Sequence, residues 1–88
     1  MADYRALARQ YAQQFGVDPD VFEKQINQES GFRPDVVSHA GAIGIAQFMP
    51  ETAKAVGVDP YNPDQALYGA AKHMRQLLDS FGGDYEKH

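Results

Sequence analysis

Apolar residues recur every three or four positions at the start of the chain, at Tyr4, Leu7, Ala8, Tyr11, Ala12 and Phe15. That spacing lines one face of an α-helix, with Asp3 placed to cap it and Gly16 to stop it. A second stripe of Val21, Phe22 and Ile26 follows Asp18-Pro19, a capping residue and a proline suited to the first helical turn. This helix is expected to end near Ser30-Gly31, and Glu29 extends its apolar face three residues beyond Ile26. Residues 31–42 carry Gly, Pro and short polar residues without sustained periodicity and read as an ordered loop. The apolar stretch "IGIAQFM" (43–49) predicts one or two further helical turns, and "PETAKAVG" (50–57) a short helix from Pro50 to Gly57. "VDPYNPDQ" holds two breakers, Asp59-Pro60 and Asn62-Pro63, and reads as a turn. Asn62 then caps a long helix with the stripe Leu67, Ala70, Ala71, Met74, Leu77, Leu78 and Phe81, stopped at Gly82-Gly83. No segment alternates as a strand would. The pattern predicts an all-α domain of about five helices and no sheet.

Composition narrows the function. The chain has 88 residues, of which 43% are hydrophobic and 23% charged, enough for one globular core. A net charge of −4 without a basic cluster argues against nucleic acid and against an anionic membrane surface as partners. The absence of cysteine removes thiol chemistry, disulfides and zinc-thiolate sites. The first ten residues, "MADYRALARQ", lack the apolar core of a signal peptide, and no run is long enough to span a membrane. At the other end, Asp84 reads as a new N-cap and "YEKH" as a single helical turn. One turn is not stable alone, so the sequence reads as one domain incomplete at its C-terminus.

Glu29 is the residue that composition and capping do not explain. It is one of four glutamates, on an apolar face, near the helix end where the macrodipole disfavours negative charge. The bland alternative is a side chain turned to water at a frayed helix end. The chemical alternative is a carboxyl in a partly apolar cleft, whose neutral form desolvation favours, as a general acid requires. Most other acids have structural positions: Asp3, Asp18 and Asp84 at N-caps, and Asp20, Glu51 and Asp64 in first turns. Glu23 reads as solvent-facing beside Lys24. Asp35 is the only acid in the loop after Glu29; it is either a second carboxylate of the glycosidase kind or a turn residue after Pro34. Ser38-His39 lacks the context of a hydrolase triad, and His39, His73 and His88 lack metal-ligand spacing. "GAIG" is too glycine-poor for a phosphate loop. Gln47, among Ile45, Ala46, Phe48 and Met49, is either helix surface or a donor–acceptor pair for a ligand amide or hydroxyl.

Taken together, "ES" at 29–30, a serine nine residues after the glutamate, and "GAIGIAQFMPETA" at 41–53 resemble the soluble-type lytic transglycosylase (SLT) domain of the lysozyme-like superfamily. The match is close over residues 29–53 and looser over the flanking helices. The resemblance implies a lysozyme-like helical fold, here its N-terminal portion, and a peptidoglycan lytic transglycosylase that needs no cofactor and no metal. It implies that Glu29 is the sole acid and base. Glu29 would protonate the glycosidic oxygen between N-acetylmuramic acid and N-acetylglucosamine, then accept the proton of the muramyl 6-hydroxyl as the 1,6-anhydro ring closes. It further implies that Ser38 contacts the acetamido region, that Gln47 binds sugar near the cleaved bond, that Met49 forms cleft wall, and that Ser30 holds the helix end.

Two departures stand out. The family's "GLMQ" is "GIAQ" at Gly44–Gln47, and the "AYN" motif of a later helix does not occur before His88. A further segment or chain completing the cleft is therefore expected, alongside peptidoglycan strands as the partner. The implied place of work is a phage virion or tail, or the periplasm and cell envelope of a bacterium. The rival readings are a goose-type lysozyme hydrolase, with Asp35 helping to position water, and a non-catalytic glycan-binding or assembly fragment.

Overall fold

In the computed structural model, residues 3–80 are described and fold into four helices: α1 (Tyr4–Gln14), α2 (Pro19–Ser30), α3 (Pro50–Val56) and α4 (Pro63–Ser80). The all-α class holds, and the expected features around Phe81 to His88 lie outside the described residues. Local chemistry sets the helix starts. The Asp3 carboxylate accepts from the Ala6 N–H at 3.0 Å, Asp18 from Asp20 at 2.9 Å, and the Asn62 Oδ1 from Gln65 at 3.1 Å. Each satisfies a backbone donor that the first helical turn leaves without a partner.

α1 packs against both α2 and α4. Arg5 reaches Glu23 and Asn27, whereas Arg9 reaches Asp20 and Glu23, so α1 and α2 run antiparallel. Glu23 is thus clamped between two arginines and does not simply face solvent. On the other flank Tyr11 donates to Asp64, and Tyr68 meets Tyr11 and Phe15 edge-on at ring separations of 5.4 and 5.2 Å. The core lies where these faces meet, around the fully buried Phe22, Ile26, Ile45 and Leu67. Each such side chain contributes about 1.5–3 kcal/mol through burial. Val21 does not share that core: it is 54% exposed, because its neighbour Phe22 takes the inward direction.

The predicted fifth helix does not form. Residues 43–49 instead make a tight reversal: Ile43 and Phe48 exchange backbone hydrogen bonds at 2.8 and 3.1 Å, and Gln47 N–H closes onto the Gly44 carbonyl at 3.1 Å. Isolated bridges join Val37 to Ile43 and Ile43 to Phe48, with no strand among the described residues. The cause is non-local. Gly44 donates its N–H to the Val36 carbonyl at 2.7 Å and adopts φ +77°, which a helix excludes. The reversal buries Ile43, Ile45 and Phe48 as effectively as a helix would, by alternate insertion from a loop.

Candidate active site

Ser30 ends α2 and anchors everything near Glu29. It is 3% exposed; its hydroxyl donates to the Ile45 carbonyl at 2.6 Å and accepts from the Phe32 N–H at 3.1 Å. One side chain therefore joins the end of α2 to the 43–48 reversal. Gly31 and Phe32 follow in left-handed conformation, both at φ +62°. A non-glycine residue holds that conformation only when its surroundings enforce it, and the guanidinium of Arg5 lies over the Phe32 ring, 4.4 Å from its centre. Replacing Ser30 with Ala leaves the buried Ile45 carbonyl and the Phe32 N–H without partners. It is expected to destabilise the fold by about 1–3 kcal/mol, read as a lower midpoint in urea; an unchanged midpoint would mean that the bond carries no stability.

Glu29 stands one position before this anchor, at the rim of a groove of about 240 Å³. Phe22 and Ile26 form its floor on the α2 side, Ala46, Phe48 and Met49 come from the reversal, and Ala70, Met74 and Leu77 from α4. Glu29 is the only carboxylate lining this groove among the described residues. Partial burial among apolar side chains raises its pKa above the ordinary glutamate value, and a hydrogen bond from Gln25, one helical turn earlier, opposes the rise. The carboxyl is thus held toward its neutral form while staying open to the groove.

The other candidates fall in different places. Gln47 lines the groove at φ +53°, and its side-chain nitrogen donates to the carbonyls of Gly44 at 2.8 Å and Val36 at 3.2 Å. Facing two acceptors fixes the amide orientation, so the atom that Gln47 offers a ligand is its oxygen. Met49, 43% exposed, caps α3 and forms part of the wall. Ser38 does not line the groove: its hydroxyl accepts from the Ala42 N–H at 3.0 Å, closing the loop that carries Ala40 and Gly41. That loop borders a second hollow of about 510 Å³ on the far side of Met49. Asp35 lines neither space.

Three polar groove residues escaped the sequence reading: Gln25, Thr52 and His73. The signal for His73 was present in the spacing. It lies three residues after Ala70 and four before Leu77, so it shares their face. His73 is half-buried on the wall that α4 provides, across from the α2 wall of Glu29.

Comparison with known proteins bears on what this groove is. The family described as the transglycosylase SLT domain matches residues 6–88, nearly the whole chain. The chain belongs to that family. Among curated relatives of this SLT domain, a transglycosylase of Enterobacteria phage PRD1 is 40% identical over 70 residues, covering 78% of the chain. The peptidoglycan transglycosylase gp16 of Escherichia phage T7 is 36% identical over 91 residues, covering 94% of the chain. The membrane-bound lytic murein transglycosylase F 1 of Alkalilimnicola ehrlichii is 33% identical over 85 residues, covering 96%. The chain spans only 26%, 7% and 17% of these relatives' own lengths. No solved structure gives a significant match. Among the described residues no helix is long and apolar enough to cross a membrane, and no cluster of His, Cys, Asp or Glu has the form of a metal site.

Proposed function

We propose that this SLT domain is a peptidoglycan lytic transglycosylase that breaks the β-1,4 bond between N-acetylmuramic acid and N-acetylglucosamine, with Glu29 as both acid and base. The observation that carries the reading is a carboxyl, the only one lining this groove among the described residues, that partial burial holds toward its protonated form. Protonated Glu29 gives its proton to the glycosidic oxygen as the bond from the muramyl C1 breaks. The resulting carboxylate then takes the proton of the C6 hydroxyl, whose oxygen bonds to C1 and closes the 1,6-anhydro ring. Glu29 ends as it began, protonated, and no water is consumed. One carboxyl serves both steps because the nucleophile is part of the substrate, consistent with a groove that holds no second acid among the described residues.

Gln47 presents its amide oxygen to a hydroxyl or amide N–H near the cleaved bond, Met49 supplies apolar wall, and Ser30 keeps the end of α2 in place. Ser38 acts on the acetamido region indirectly, by closing the loop that carries Ala40 and Gly41 along the neighbouring hollow. The names of the relatives support bacterial peptidoglycan as the target, reached from a phage particle or within the cell envelope. Mass spectrometry of peptidoglycan digested with the purified chain is expected to find products ending in 1,6-anhydromuramic acid. Reducing muramic acid ends would instead indicate the hydrolase, and intact glycan together with measurable binding the non-catalytic fragment.

A further inference from the structure

The wall that α4 gives to the groove beside Glu29 consists of Ala70, His73, Met74 and Leu77. Three of these are apolar, so among the described residues His73 is the one polar side chain that α4 places there. The fold makes no use of it. Among the described residues the imidazole has no hydrogen bond or ion pair, and neither ring nitrogen is buried without a partner. Both nitrogens therefore stay open to solvent, although the residue as a whole is half-buried. The ring also borders the seam between α3 and α4, where Glu51 and Lys72 are its charged neighbours, but neither pairs with it. A half-buried polar ring with an unused donor and acceptor, on the wall across from the candidate acid, calls for a partner from outside the chain.

We propose that His73 is a sugar-contacting residue of this site, whose imidazole holds a hydroxyl or acetamido group of the bound glycan from the α4 wall; the inference rests on the function proposed above. The polar groups of the groove divide the work. Glu29 is committed to the scissile bond. The Gln47 nitrogen is engaged by the Gly44 and Val36 carbonyls, which leaves Gln47 an acceptor only. Thr52 adds a hydroxyl from α3, on the side of Met49. A neutral imidazole carries one donor and one acceptor, and sugar hydroxyls both give and take hydrogen bonds. Without His73 the α4 side would meet the sugar with apolar surface alone, and apolar contact is non-directional. Polar contacts from two walls fix how the ring is turned in the groove. That orientation decides whether the glycosidic oxygen lies toward the Glu29 proton.

The test titrates the full chain carrying Glu29→Gln, so that bound glycan survives, with peptide-free oligosaccharides of alternating N-acetylglucosamine and N-acetylmuramic acid. Imidazole proton resonances are followed by NMR; the chain has His39, His73 and His88, and the His73 signal is the one that His73→Gln removes. That signal is expected to shift in step with bound glycan. In calorimetry, adding His73→Leu is expected to weaken binding about three- to tenfold, the scale of one neutral hydrogen bond. His73→Gln, which keeps a donor and an acceptor, is expected to recover most of the loss. A merely structural role would not separate Leu from Gln in this way. Should His73→Leu fail to fold, the NMR shift decides alone, because it is read with His73 in place. A His73 signal unmoved at saturating glycan, or Leu and Gln variants that bind alike, overturns the inference. The proposed function would then still stand on 1,6-anhydro products from the wild-type chain; with no oligosaccharide bound and no such products, both fall.

Discussion

Glu29→Gln is expected to lower the rate of peptidoglycan turnover by about 10²–10⁴-fold or more, since in the proposed mechanism one group performs both proton transfers. Glutamine keeps the shape and can still donate a hydrogen bond, but it can neither release a proton to the leaving oxygen nor take one from the 6-hydroxyl. The measurement is release of soluble muropeptides at matched protein concentration, and a loss below tenfold would remove Glu29 from the chemistry. The same substitution has a predictable effect on stability. Burial favours the neutral form of Glu29, so its folded-state pKa lies above its unfolded value. Stability linked to this proton is fully present below the ordinary glutamate pKa and is lost as pH rises through the raised value. Glu29→Gln removes that loss. The variant should therefore melt above the wild type at neutral pH, and the gap should close in acid. Turnover by the wild type should fall as pH rises through the raised pKa, because the first step needs the protonated acid.

Glu29 was legible because it broke the stripe of Phe22 and Ile26, and both of those are buried. The caps at Asp3, Asp18 and Asn62 were legible because each is decided by a bond to a residue two or three positions away. Residues 43–49 were not. Seven residues with four large apolar side chains fit a helix or a folded loop equally well, and the choice was made by Val36 and Pro60, distant partners that local spacing does not contain. Glu23 was misread for the same reason, since its two arginines come from another helix. The α4 wall was hidden by a correct pattern. Ala70, Met74 and Leu77 do form an apolar stripe, but Leu77 is 47% exposed and the stripe borders an open groove that His73 shares.

The largest expected effect on stability comes from Gly44→Ala. Gly44 sits at φ +77°, and a Cβ added there would fall against the Pro60 carbonyl oxygen, well inside contact distance. Two penalties therefore act together: a left-handed backbone for an L-residue, about 1–2 kcal/mol, and displacement of packed backbone, about 1–3 kcal/mol. Side-chain adjustment cannot relieve the second, because the obstacle is a main-chain oxygen in the turn that precedes α4. The sum, about 2–5 kcal/mol, is a large share of the stability of a domain this size and should lower the melting temperature by roughly 10 °C or more. Gly57→Ala separates the two causes. Gly57 has φ +85° with nothing within 4 Å of an added Cβ, so it should show the conformational penalty alone. Equal losses in the two variants would mean that the contact with Pro60 is not rigid. Gly44→Ala should also impair turnover in the fraction that remains folded. Its neighbour Ile45 holds Ser30 at the end of α2, and its own carbonyl holds the Gln47 amide, so moving this turn displaces both the helix end that carries Glu29 and the wall that Gln47 lines.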